Sequence, residues 1–259
     1  MPNDLTLLIE AAKEAGKIAS GFFKASPEIW DKPDGAGPVT EADLAVDNML
    51  RESLRAARPD YGWLSEETED DKARLTADKV FIIDPIDGTR AFIEGSKTWA
   101  HSLAIAAHGQ VTNAVVYLPE RDLMFTAEKG KGAYLNGDKI TASHVTELAK
   151  ATLLAAKPAF DPWHWQDGKV PDINRHFRSS LAYRMAAVAQ GRFDAMLTLR
   201  PTWEWDIAAG ALIVSEAGGR ATDRRLAPLK FNNPGAQVDG VFAAGRAVHK
   251  ALGARLSTT

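Results

Sequence analysis

The sequence predicts an α/β protein built as two closely apposed halves: an α+β half with an antiparallel sheet over residues 1–150, and an α/β half over residues 151–259. Three observations carry this. Strand-like segments separated by turn residues dominate from Val80 to Glu128. Beyond Ala149 the texture changes to alternating helical and strand-like runs. No internal repeat, low-complexity tract or flexible linker interrupts the 259 residues, of which 45% are hydrophobic and 25% charged, an ordinary globular composition.

The first element is a helix. Leu5, Leu8, Ala12, Ala15, Ala19 and Phe22 recur at helical spacing, with Asn3 or Asp4 placed to cap. Glu10, Lys13 and Glu14 interrupt its apolar positions and no basic leader precedes it, so it does not read as a signal peptide. No apolar run approaches the ~20 residues needed to span a bilayer, and the cytoplasm is the expected location. WDKPDGAGPVT must be loop, and a second helix is expected from about Glu41 to Arg58, broken by Pro59 to Gly62. Strands are expected at Val80–Ile83, Ser102–Ala107, Val111–Leu118 and Leu123–Glu128, with Asn136-Gly137 as a hairpin turn. TLLAAK, SLAYRMAAVAQG, FDAMLTL, WDIAAGALIVSEAGG and VDGVFAAG supply the alternating elements of the second half.

Composition excludes several chemistries. There is no cysteine, which removes disulfides, thiolate nucleophiles and Cys-ligated zinc. With 31 basic and 34 acidic side chains the net charge is −3, and neither a nucleic-acid polymer nor a membrane surface is an expected partner. The six histidines show no zinc-binding spacing.

The acids are the informative residues. In VFIIDPIDGTRAFIEG four apolar residues run into Asp84, and Asp87 follows just before Gly88 and Thr89. An Asp-Gly pair alone is a common turn. Asp43 in PVTEAD would suit a solvated helix face, Glu66 to Asp71 a charged loop, and Asp206 the N-cap of an apolar helix. Converging, however, these carboxylates would repel one another unless cations sat between them, and an all-oxygen set selects Mg²⁺ or a similar hard ion. Beside a glycine-hydroxyl turn at a helix start, such a set suggests phosphoryl chemistry. The haloacid dehalogenase pattern D-x-D-G-T does not fit, because here two residues separate the acids and proline follows the first. Water, and not Asp84, is the expected nucleophile.

In order along the chain, PVTEAD, SEE, IDPIDGTRAF, KGKGAYLNG and WDIAAGALIVSEAGG resemble the inositol monophosphatase superfamily of metal-dependent, lithium-sensitive phosphomonoesterases. The resemblance implies a layered αβαβα sandwich of the sugar-phosphatase type, two to three Mg²⁺ ions, a small-molecule phosphate ester as substrate and a homodimer. It assigns Glu66, Asp84 and the carbonyl of Ile86 to one ion, and Asp84, Asp87 and Asp206 to a second. Most of these metal ligands fall in the first half, and Asp206 of the second half completes the site. Glu66 would also reach a third ion. Thr89, oriented by Asp43, would position or deprotonate the attacking water, and the backbone N–H groups of Gly88 and Thr89 would hold phosphate. Lys32 would close a loop over the metals, while Glu67 stands behind Glu66 or in solvent.

For the substrate, WLSEE, DGTRAFI and SSLAYR lean toward 3'(2'),5'-bisphosphate nucleotidases, with Ser179 and Ser180 as a phosphate cradle and Arg184 or Arg178 meeting a second phosphate. Inositol 1-phosphate and histidinol phosphate are the alternatives. The acid that inositol phosphatases direct at ring hydroxyls aligns near Leu199, with Glu204 as a nearby substitute. Trp163 and Trp165 offer either nucleobase stacking or packing. A regulatory, protein-binding member of the superfamily is the non-enzyme alternative; the complete set Asp43, Glu66, Asp84, Asp87, Thr89 and Asp206 argues against it.

Overall fold

The computed structural model describes residues 2–32 and 37–257. Helix α1 (Asp4–Phe22) is capped by the Asn3 side chain, which accepts from Thr6 N at 2.8 Å. A two-stranded hairpin, β1 (Ile29–Asp31) and β2 (Pro38–Thr40), leads into α2 (Glu41–Ala57). The expected Pro/Gly-rich loop lies partly in this hairpin and partly outside the described residues. At the start of α2, Thr40 and Asp43 form a reciprocal capping box, which turns the Asp43 carboxylate inward.

A seven-stranded sheet follows, in the order β3 (Gly62–Ser65), β4 (Lys79–Asp87), β5 (Ala100–Ala107), β6 (Gln110–Leu118), β7 (Leu123–Glu128), β8 (Ala133–Leu135) and β9 (Asp138–Lys139). Helix α3 (Thr89–Ile93) interrupts it after β4. All pairings are antiparallel except β3 with β4, which run parallel. This corrects the expectation of a purely antiparallel sheet. Four residues of strand pattern do not encode direction, and here the chain returns from β3 through a single 3₁₀ turn, residues 73–76, to start β4 at the same end.

The second half forms a five-stranded sheet, ordered β11 (Asn174–His176), β10 (Thr152–Ala155), β12 (Ala195–Thr198), β16 (Val241–Ala244) and β14 (Arg220–Thr222). Its β10 pairings are parallel and its β16 pairings antiparallel. Between these strands lie α4 (Leu181–Ala189) and α5 (Glu204–Glu216), a short pair of β13 (Thr202–Trp203) with β15 (Gln237–Val238), and finally α6 (Arg246–Gly253).

Strand alternation sorts the side chains into three cores. Val80 and Ile82 of β4 face α4 and α5, whereas Phe81 and Ile83 face α1 and α2. In the other sheet Met196 and Ala243 face α4 and α5, and Leu197 and Phe242 face α6. The layers therefore run α1/α2, seven-stranded sheet, α4/α5, five-stranded sheet, α6, the expected αβαβα order. Helix α5 is apolar all round because it is covered by a sheet on either side and by α4.

Close packing of the central layer rests on Gly210. A Cβ there would stand 2.5 Å from Met185 Cβ on α4. Gly210→Ala is expected to lower stability by about 1–3 kcal/mol, since an added methyl in a filled core forces both helices apart. For a chain of this size that is a fall of several degrees in Tm by thermal denaturation; an unchanged or higher Tm would refute the tight contact.

Candidate active site

The site forms where β4 stops being regular. Asp84 pairs with Ser102 and Asp87 with Ala100, so Pro85 and Ile86 bulge out of the ladder between them. Proline cannot donate to a ladder, and its carbonyl is taken instead by His101 Nδ1. A carbonyl only accepts, so Nδ1 carries the proton; burial pushes the ring down to about 4 and keeps it neutral. After the bulge, Gly88 at φ 98° makes the left-handed turn into α3, a conformation glycine adopts without strain.

Three elements bring acids together. One carboxylate oxygen each from Glu66 after β3, Asp84 on β4 and Asp206 in the first turn of α5 lie within 4.8 Å of one another. Asp84 is buried, and among the described residues neither of its oxygens has a hydrogen-bond partner. Burial, followed by the charges of Glu66, Asp87 and Asp206, raises the Asp84 carboxyl far above the ordinary range. Asp206 is raised in the same way, by burial and then by Asp87 and Glu66. A buried acceptor-only group with no donor, facing two more acceptor-only groups, fits a hard divalent cation. Glu66, Asp84 and Asp206 are the residues that would hold it.

Asp87 adjoins this trio, but its Oδ2 accepts from Ser180 Oγ and from Ala182 N, both at 2.6 Å, at the start of α4. Burial raises Asp87 to about 6 in spite of these donors. Thr89 Oγ1 lies 3.2 Å from Asp43 Oδ1 and 3.2 Å from the Ile86 carbonyl. Asp43 Oδ2 accepts from Thr40 N at 2.9 Å and Thr40 Oγ1 at 2.5 Å. Asp43 is thus not a solvated helix residue; burial raises it to about 6 against the Thr40 hydrogen bonds. Lys32 Nζ bridges Glu66 and Glu67, at 2.7 Å from each. Burial works against the Lys32 ammonium, yet the two carboxylates outweigh it and raise its pKa. Glu67, raised to about 7 by burial and by Glu66, stands behind Glu66 rather than in solvent.

A cavity of about 520 Å³ opens over this cluster, lined by Glu66, Gly88, Thr89, Ser179 and Arg184 among others. Arg90 and Arg200 also line it, with Phe177 and Ala156 as apolar wall. The Arg184 guanidinium stacks 4.6 Å from the Phe177 ring, and burial lowers it to about 10.

Two expected substrate residues are corrected. Ser180 is fully buried and its hydroxyl is used twice, donating to Asp87 and capping α4 by accepting from Tyr183 N at 2.9 Å. Glu204 is also fully buried; it accepts from Asn232 N at 2.6 Å, Asn233 N at 2.8 Å and Asn233 Nδ2 at 2.7 Å, and cannot reach a ligand. Nor do Trp163 and Trp165 line the cavity: Trp165 is core and Trp163 is exposed elsewhere. Sequence reasoning passed over Arg200, whose one signal was an unusual TLRPTWEWD segment, and Asp47, which follows Asp43 by one helical turn.

A profile of the inositol monophosphatase family matches residues 3–258. The chain is 34% identical to an inositol-1-monophosphatase of Rhizobium meliloti over 229 residues, 85% of either protein. It is 32% identical to the Nus factor SuhB of Salmonella typhimurium, covering 85% of this chain and 84% of the other. Among solved structures it superposes on an IMPase of Thermotoga maritima with a TM-score of 0.84 and 27% identity, over 98% of this chain and 96% of that one.

The raised acids make stability depend on pH with a definite sign. Asp43 and Asp87 titrate near 6 in the fold but at their ordinary 3.8 when unfolded. Between those values the folded chain binds more protons than the unfolded chain, so metal-free stability falls as pH rises through the window. A divalent cation offsets the ionised cluster. The Mg²⁺-induced rise in Tm is therefore expected to be small at pH 4 and to grow as the pH rises above 6. Thermal scans with and without Mg²⁺ check this, and a pH-independent difference would contradict it.

Proposed function

Because the chain belongs to the inositol monophosphatase family, and so is a phosphoric monoester hydrolase, we propose that it hydrolyses a small phosphate ester at the Glu66–Asp84–Asp206 cluster by attack of water. The observation that carries this is the pair of unpartnered, buried Asp84 oxygens facing two other carboxylates. Mg²⁺, as two or three ions held by Glu66, Asp84, Asp87, Asp206 and the Ile86 carbonyl, would neutralise phosphate charge and lower the pKa of water. The remaining work belongs to the chain. Thr89 Oγ1, held by Asp43, orients the attacking water and passes its proton toward the Asp43 carboxylate. The Gly88 and Thr89 N–H groups receive phosphate oxygens as the water oxygen bonds to phosphorus and the ester P–O bond breaks, and the departing alkoxide takes a proton from solvent water. Lys32 balances the negative charge of the Glu66–Glu67 pair.

For the substrate we favour a 3'(2'),5'-bisphosphate nucleotide. Arg184 and Arg200 line one cavity with Phe177, which suits a second phosphate and a flat base better than a neutral polyol. Inositol 1-phosphate is the second reading, favoured by the relative named inositol-1-monophosphatase. A homodimer is the expected assembly, readable by sedimentation velocity.

Phosphate release with and without Mg²⁺ should be measured on 3'-phosphoadenosine 5'-phosphate, inositol 1-phosphate, fructose 1,6-bisphosphate and histidinol phosphate. The bisphosphate nucleotide is expected to give the highest kcat/KM; preference for inositol 1-phosphate would select the second reading, and no hydrolysis of any would refute both. Arg200→Ala is expected to raise KM for the bisphosphate about tenfold, the worth of one charged hydrogen bond, and to leave inositol 1-phosphate nearly unchanged. Asp84→Asn should fold and lose about a hundredfold or more of Mg²⁺-dependent turnover; full activity would refute the assigned site.

A further inference from the structure

We propose that Asp47 is a positioning residue, which sets the affinity of the carboxylate cluster for its divalent cation by clamping both ends of the segment that carries Glu66. This rests on the site described under Proposed function, but Asp47 itself touches neither the cavity nor the other acids of the cluster. Asp47 lies four residues after Asp43 on α2, so one helix face presents two buried carboxylates. Asp43 serves Thr89. Asp47 serves the segment after β3: its Oδ1 accepts from Ser65 Oγ at 2.5 Å and its Oδ2 from Thr68 Oγ1 at 2.6 Å. Glu66 and Glu67 are the two residues between those anchors.

The Thr68 hydroxyl is itself fixed, accepting from Trp63 Nε1 at 3.2 Å. Glu66 N also donates to the Ile83 carbonyl at 3.2 Å, next to Asp84. Two hydroxyl donors, one on each oxygen, call for an acceptor-only group with two equivalent ends, which a carboxylate is and an amide is not. Among the described residues Asp47 has no ion-pair partner. A buried acid held by hydroxyls alone is costly if its task is only to stabilise the fold. Holding Glu66 opposite Asp84 and Asp206 against their mutual repulsion gives it a purpose.

The test is Mn²⁺ binding, read as loss of the free-ion electron paramagnetic resonance signal, beside Mg²⁺ activation curves, for wild type, Asp47→Ala, Asp47→Asn and Thr68→Val. Asp47→Ala is expected to weaken Mn²⁺ binding and raise the half-activating Mg²⁺ concentration by about tenfold, the worth of a lost charged hydrogen bond. At saturating Mg²⁺, kcat should largely recover and substrate KM should stay near wild type, a split that a general loss of structure would not produce. Asp47→Asn and Thr68→Val, which keep the shape of the site and guard against an Asp47→Ala protein that does not fold, should give smaller shifts in the same direction. In a Glu66→Gln background Asp47→Ala should add no further loss of Mn²⁺ affinity. Unchanged Mn²⁺ affinity in the folded Asp47 variants, or full additivity with Glu66→Gln, would overturn the clamp alone. Failure of the wild type to bind Mn²⁺ would overturn the metal site itself, and the clamp with it.

Discussion

Glu66, Asp84 and Asp206 bring one carboxylate oxygen each within 4.8 Å of one another, and the fold has to hold them there. Like charges at that separation would repel by about 3 kcal/mol even at an effective dielectric constant of about 20, and burial together with this repulsion is why Asp84 and Asp206 keep their protons far above the ordinary range. Lys32 offsets part of that cost at Glu66, 2.7 Å from its carboxylate, but no cation is paired with Asp84 among the described residues. The arrangement persists because each acid is fixed by an element whose position is set by apolar packing elsewhere: Asp84 by a strand in the middle of the first half's core, Asp206 by a helix enclosed between two sheets, and Glu66 by a neighbouring parallel strand. A divalent cation in that space would take the place of those protons and let the acids ionise.

The second half reaches the first through a polar network as well as through the shared core. Arg74, fully buried, donates to Asp70 at 2.9 and 2.7 Å, to Asn232 Oδ1 at 2.6 Å and to the Asn233 carbonyl at 3.0 Å. Asn232 and Asn233 in turn satisfy Glu204, two residues before Asp206. A continuous run of hydrogen bonds therefore joins the loop after Glu66 to the first turn of α5. Arg74 suits this place because its guanidinium spreads several donors in a fixed plane, which matches one carboxylate and two loop acceptors together. Glu204 thus acts as an internal brace for the helix that presents Asp206, not as a ligand group.

Much of this was legible in the sequence, for physical reasons that can be named. Val80–Ile83 running into Asp84 marks a buried strand end, and the apolar periodicity of α1 with Asn3 before it marks a capped helix; both signals are local. The division into two halves followed from strands giving way to helix–strand alternation near residue 150, whereas the layer order came from the family resemblance. What was not legible depends on partners distant in sequence. Nothing in GWLS says that it pairs parallel with β4. Ser180 has the same neighbours in the sequence whether its hydroxyl faces a ligand or caps a helix beneath Asp87, and only the fold decides. Glu204 looked like a candidate ligand because it lies close in sequence to Leu199, where an acid was expected, but in the fold its side chain points to the 232–233 loop.

The parts of the site differ in how far they can change. The groups assigned to the chemistry lie on a bulged strand, three helix starts and a strand end, all set in the packed layers, so substitution there disturbs the core as well as the reaction. Arg90, Arg200 and Phe177 line the cavity and are exposed to solvent. Leu199, where an acid would meet a polyol, is buried in the third core instead, which turns the next residue, Arg200, toward the opening. A change of one residue in the loop between β12 and β13 would therefore reverse the charge presented to the substrate while leaving Asp206 in place. On such a framework the residues of the rim are free to vary while the acids beneath them stay where the layers hold them.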